Sequence, residues 1–248
     1  MSAIYIMWLR EIKRFSRSKS RIIGSLMQPL LFLISFGYGF GAVFAAAGQG
    51  SYINFLAPGI IGMSIIFTSI FNGMQVIWDR QFGFLKETLV APVPRIAIMF
   101  GRTLGGATVA MLQGCIVLLM TLFIGFHPVS WILIVPAILI MLFIGTLFSA
   151  LGMMVASLMR DMQGFQLVMN FLVMPLFFLS GALFPLTSVP QVLQWIAAID
   201  PLSYGIDAMR ALLINSTHYG LTLDLIVLTA FTLLFLSLGS YFFSKIQV

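Results

Sequence analysis

Residues 103–158 read TLGGATVAMLQGCIVLLMTLFIGFHPVSWILIVPAILIMLFIGTLFSALGMMVASL and hold no Asp, Glu, Lys or Arg. A helix needs roughly 20 apolar residues to cross a hydrocarbon core, and this stretch holds two such lengths, about 103–126 and 131–158. HPVS supplies the turn between them, so the pair reads as a transmembrane hairpin. Working outward, the same test marks spans at about 22–44 and 52–77 before the hairpin, and at about 162–184 and 221–243 after it. The expected fold is an all-α polytopic membrane protein, one transmembrane domain over residues 1–248 with six transmembrane helices.

Composition agrees. The chain is 60% hydrophobic and 8% charged, whereas a soluble domain carries about a quarter of its residues as Asp, Glu, Lys and Arg. That excludes a soluble enzyme. Six spans with short loops leave no length for a nucleotide-binding or enzymatic domain, so any energy source has to be a separate protein. The one cysteine, Cys115, lies in an apolar run, which excludes a disulfide framework or a multi-cysteine metal site and reads as filler. The N-terminus, MSAIYIMWLREIKRFSRSKSR, places its charges after its apolar residues, the reverse of a signal peptide, and no cleavage is expected.

In that N-terminal segment Ile4, Trp8, Ile12 and Phe15 recur at helical spacing, while Arg10, Lys13, Arg14 and Arg17 face elsewhere. The pattern predicts an interfacial helix over 3–20, with a loose basic tail as the alternative. A second polar stretch, residues 78–102, holds Asp79, Arg80, Lys86, Glu87, Arg95 and Arg102 and is expected to lie outside the hydrocarbon. Within it FGFLKETLV, 82–90, predicts a short amphipathic helix stopped by Pro92 and Pro94, able to dock on a partner; a solvated loop is the alternative. Between spans five and six, Pro185, Pro190 and Pro201 divide a stretch too long for a turn. Two short helices are expected there, about 190–198 and 201–213, with Asp200 as a cap and Asp207 paired with Arg210 one turn on.

Small residues at four-residue spacing, Gly101 with Gly105 and Gly145 with Ser149, are candidates for close helix packing. Asn72 and Gln75 close span two, where amides can hydrogen-bond between helices. Of the 13 Lys and Arg, all but Arg210 fall in segments on one side if both termini are cytoplasmic. Basic residues near span ends stay on the cytoplasmic side, so an inward N-terminus is expected, in the plasma membrane or the inner membrane of a two-membrane bacterium. This scattering of charge also excludes a nucleic-acid groove. His127 and His218 fall in different loops without partners, and no catalytic or metal motif is present, so no enzyme is expected. No carboxylates cross the middle of the spans to carry protons or sodium, and no selectivity filter marks a channel.

The two richest segments resemble the membrane permease subunit of ABC-2 type exporters, the group of daunorubicin-resistance, nodulation-factor and polysaccharide exporters. The inner mark is DRQFGFLKETLVAPVPR, 79–95, with Gly83, Lys86, Glu87, Pro92 and Arg95. The outer mark is FLSGALFPLTSVPQVLQWIAAIDPLSYGIDAMR, 178–210, with Ser180, Gly181, Pro185, Pro190, Pro201, Tyr204, Asp207 and Arg210. The resemblance implies a permease, paired with itself or with a second permease in lipid, on two ABC ATP-binding subunits. It also implies outer re-entrant helices between spans five and six. ATP and magnesium would sit on the partner ATPase and no cofactor on this chain. The inner loop would be the coupling helix, with Phe82, Phe84, Leu85 and Leu89 in a groove of the ATPase and Lys86 and Glu87 on its rim. Spans two and five would line the path, offering Asn72, Gln75, Met169, Asn170, Phe177 and Phe178. The compact chain resembles exporters of an amphipathic drug, lipid or similar hydrophobic compound. The alternative is a polysaccharide or lipid-linked glycan, and an ATPase-independent channel or a membrane scaffold is a remoter one.

Overall fold

The computed structural model describes residues 3–46, 50–85 and 93–246. Among them run nine α-helices: α1 (Ala3–Arg17), α2 (Lys19–Ala46), α3 (Tyr52–Gln81), α4 (Arg95–Ile124), α5 (Ile134–Leu158), α6 (Met162–Leu179), α7 (Gln191–Ile199), α8 (Pro201–Ile214) and α9 (Leu221–Ser244). Six of them, α2 to α6 and α9, are long and apolar enough to cross a membrane. All-helical folding is what a lipid solvent demands, since each backbone N–H and C=O must be satisfied within its own segment.

α3 is the central helix, buried along most of its length, and packs on α2, α4, α5, α6 and α8. α9 closes the far side against α5, α8 and α4. α2, α6 and α9 leave most of their apolar surface uncovered. Aliphatic side chains from α3, α4 and α5, among them Ile61, Ile65, Met141 and Ile144, form the core. Without a hydrophobic drive between helices in lipid, close backbone approach supplies the attraction. At the α3–α5 crossing a Cβ on Gly73 would stand 2.5 Å from the Gly152 carbonyl oxygen, and one on Gly152 would stand 2.7 Å from that of Ile70. Backbone meets backbone there with no side chain between.

Two sequence expectations move. Span three begins at Arg95 rather than near residue 103, so Arg95 and Arg102, expected outside the hydrocarbon, belong to the first turns of α4. Hydropathy misses this because a guanidinium inside a helix scores like one in a loop, whatever it is paired with. Span five stops at Leu179 rather than 184: Gly181, at φ +73°, reverses the chain, and Pro185 leads a single 3-10 turn, Leu186–Ser188. The two short helices come next, close to their expected bounds, and Asp200 caps α8 by accepting from the Leu202 N–H at 2.8 Å.

Candidate functional site

One end of the bundle gathers α1, the end of α3 and the start of α4. α1 lies along α4, with Ile4 and Met7 over Gly101 and Glu11 over Gly105, where a Cβ would come within 2.7 Å of each face. The four-residue glycine spacing seats α1 rather than another span. Trp8 Nε1 donates to Thr108 Oγ1 at 3.0 Å, fixing the helix along its length. Beneath it Arg102 of α4, only 2% exposed, donates to Asp79 Oδ2 of α3, which also accepts from Arg10 Nη2 at 3.1 Å. Arg14 Nη1 donates to Gln75 Oε1 at 2.7 Å. Arg10, Arg14 and Arg102, drawn from both polar stretches of the sequence, thus tie α1, α3 and α4 together. Hydropathy cannot see it, because Asp79 and Arg102 lie in a polar stretch that reads as lying outside the hydrocarbon.

The Asp79 network borders a cavity of about 510 Å³ between α1, α2, α3 and α4. Its polar lining includes Glu11, Arg14, Gln28, Asn72 and Gln75, and its apolar wall includes Met63, Phe67, Phe71 and Trp78. Glu11 is 4% exposed, with no hydrogen-bond or ion-pair partner among the described residues. Burial raises its carboxyl above the usual range, while Arg102, Arg14 and Arg10 pull the other way. Asn72 and Ser149 meet over Gly106 at the foot of this space.

Of the six path candidates only Asn72 and Gln75 line this cavity. Met169 and Phe177 are fully buried and belong to the core, Phe177 edge-on to Phe32 at 6.1 Å. Asn170 and Phe178 stand on the uncovered face of α6. The candidate coupling residues divide in the same way. Phe82, 61% exposed, stacks on Trp78 at 5.2 Å, Gly83 turns the chain at φ +81°, and Phe84 is 54% exposed. Leu85, expected to enter an ATPase groove, is instead fully buried and anchors the segment to the bundle. Arg95, expected to couple as well, donates to the Ser244 and Ile246 carbonyls at 2.7 and 3.0 Å and closes the C-terminal end of α9. Lys86, Glu87, Leu89 and Pro92 lie outside the described residues.

At the opposite end the expected Asp207–Arg210 pair does not form. Asp207 accepts from Thr217 Oγ1 and from the His218 and Tyr219 backbone N–H groups at 2.8–2.9 Å. Arg210 donates to the Gly181 and Ala182 carbonyls at 2.9 and 3.1 Å and lies 3.8 Å over the Phe55 ring. One turn apart on α8, they point into different loops, each meeting backbone groups that no helix satisfies. Tyr204 stacks on Tyr219 and donates to the Ala198 carbonyl at 2.7 Å, and Tyr52 donates to that of Leu183 at 2.7 Å. Gly181, Pro185, Pro201, Tyr204, Asp207 and Arg210 therefore build one tied cap over α3.

The sequence profile of the ABC-2 type transporter family matches residues 2–214. Nodulation protein J of Sinorhizobium fredii is 26% identical over 237 residues, covering 94% of this chain and 90% of that protein. The inner membrane transport permease YadH of Escherichia coli is 29% identical over 211 residues, covering 84% and 81%. The profile match runs from the end where α1 is tied to two spans to the end capped by α7 and α8, and on that match the chain belongs to the ABC-2 type transporter family, as a non-catalytic membrane permease.

Proposed function

We propose that this permease, with both termini cytoplasmic, exports a lipid-linked glycan or similar amphipathic molecule with a sugar head. It works as a pair of permeases on two ATP-binding subunits. The observation that carries the reading is that one rigid helix does two jobs. α3 ends in the exposed Trp78–Phe82 stack and, within two turns, presents Asn72 and Gln75 to the cavity. An ATPase gripping the aromatic end would shift the cavity wall with it, and ATP would select one arrangement through its differential affinity for the two. Phe84 and the 86–92 segment extend the grip, with Lys86 and Glu87 setting register at its rim. The similarity to Nodulation protein J supports a glycan head over the drug or simple lipid that the compact chain suggested. The uncovered face of α6, with Asn170 and Phe178, would meet the second permease.

The test is co-purification of the partner ATPase, with stimulated ATP hydrolysis as a second reading. Phe82→Ser and Glu87→Lys should each leave the permease inserted and folded while weakening the association about tenfold, the scale of losing one interface anchor. Undiminished co-purification by both variants would remove the coupling assignment.

A further inference from the structure

The cavity beside α1 lies within a single chain, and its polar groups are not all used. Among the described residues Glu11 of α1 lines the cavity 4% exposed and without a hydrogen-bond partner, and Ser64 Oγ of α3, in the same lining, is buried without one. A carboxyl group held in a largely buried cavity without a hydrogen bond from the protein, with an orphan hydroxyl in the same lining, is a place where a ligand can supply the missing donors. We propose that this cavity binds the hydroxyl-bearing head of an amphipathic molecule, with Glu11 accepting from its hydroxyls and the apolar wall of α3 holding its ring face and chain.

The surrounding charges select this chemistry. Arg10 and Arg14 face Glu11 from its own helix, Arg102 from α4 and Asp79 from α3. Three positive groups against two negative ones leave a net positive field, which disfavours an ammonium head. An anionic head would meet the Glu11 carboxylate, while one arm each of Arg10, Arg102 and Arg14 is already committed to Asp79 or Gln75. Neutral hydroxyls meet neither penalty. They donate to Glu11, donate to or accept from Ser64, Asn72 and Gln28, and accept from the remaining N–H groups of Arg14. Phe71 and Trp78 offer flat faces of the kind that cover the C–H side of a sugar ring. Around 510 Å³ holds one or two sugar units or a head with the start of a chain. This deepens the glycan reading above and rests on it for the cargo's identity, but not for the site.

The experiment uses the full-length permease in phosphatidylcholine vesicles, whose head groups carry no hydrogen-bond donor. Two photoreactive probes share one alkyl chain: an alkyl glucoside and its permethylated counterpart, which keeps the ring and its oxygens and loses the hydroxyl donors. The glucoside should label α3 peptides between Met63 and Trp78 about tenfold more than the permethylated probe, the scale of a hydrogen bond to a charged group. Glu11→Gln and Ser64→Ala should each narrow that ratio, with thermal unfolding showing that each variant is folded. Displacement of the label by a neutral glycosyl diacylglycerol as readily as by free alkyl glucoside assigns the site to a polyol bilayer lipid, and displacement by the glucoside alone assigns it to cargo; either upholds the site. Equal labelling by the two probes, or an unchanged ratio in both folded variants, overturns it. No ATPase takes part, so a failure here is distinct from a failure of the exporter reading.

Discussion

Asp79 on α3 accepts from Arg102 on α4 at 2.5 Å, with both side chains almost wholly out of solvent. The relationship is unequal. Asp79 has Arg10 as a second donor, whereas Nε and Nη1 of Arg102 have no partner among the described residues. Removing Asp79 therefore strands a buried guanidinium, while removing Arg102 leaves Asp79 still bonded. Breaking a buried pair from one side costs about 3–5 kcal/mol. Asp79→Ala is expected near that range and Arg102→Met well below it, read as thermal midpoints of the purified permease. Equal losses would show that Arg10 cannot hold Asp79 alone.

The α3–α5 crossing gives a steric prediction. A side chain on Gly73 meets backbone at 2.5 Å, which cannot rotate away, while Gly39 on α2 has open space around it. Gly73→Leu should separate the two helices and cost several kcal/mol, on the scale of severe overpacking. Gly39→Leu should be tolerated. Monodispersity on size exclusion and thermal midpoint separate the two outcomes.

Asp207 and Arg210 serve different loops, so exchanging them should not restore what either single change removes. Asp207→Arg and Arg210→Asp should each damage the cap, and the double exchange should lose close to the sum. Recovery in the double variant would mean that the two charges couple directly. Arg210→Lys should also fail in part, since an ammonium cannot span the Gly181 and Ala182 carbonyls while stacking on Phe55.

Asp200 gives a pH prediction. Burial pushes its carboxyl up to about 8, against its bond from the Leu202 N–H. An acid whose folded pKa lies above its unfolded value holds its proton more tightly when folded. Its contribution is full at acid pH and falls as pH climbs from the ordinary carboxylate value of 3.8 towards about 8. Asp200→Asn keeps the cap and removes the titration. The thermal midpoint of the variant should vary less between pH 5 and pH 8, roughly the range in which a carboxyl so raised ionises, and parallel profiles would show that Asp200 does not set the trend.

Six spans, their order, the two short helices after Gly181 and the Asp200 cap were all legible in the sequence. Each depends on residues that act within one turn or one span, such as the charge-free run of 103–158 or the prolines at 185, 190 and 201. The candidate site was legible only by half. Asn72 and Gln75 do reach a cavity, but Met169, Phe177 and Leu85 are buried in the core, and Arg95, exposed, bonds the end of α9. Residue type tells what a side chain can do and leaves open the side of the helix on which a neighbour lies.

The sequence alone therefore determined the features that solvent and chain length impose: a lipid environment, helices of spanning length and basic residues gathered towards one end. Tertiary structure decided which groups meet. Glu11 reads as one more charge on a surface helix until Gly105 lets its stem lie flat and leaves it lining the cavity between α1, α2, α3 and α4. Arg102 reads as a loop residue until Asp79 arrives to neutralise it. The physical reason is range. Hydropathy and helix periodicity sum local terms, whereas the energy of a buried charge depends on partners such as Asp79 and Arg102, 23 residues apart, and only folding sets that distance.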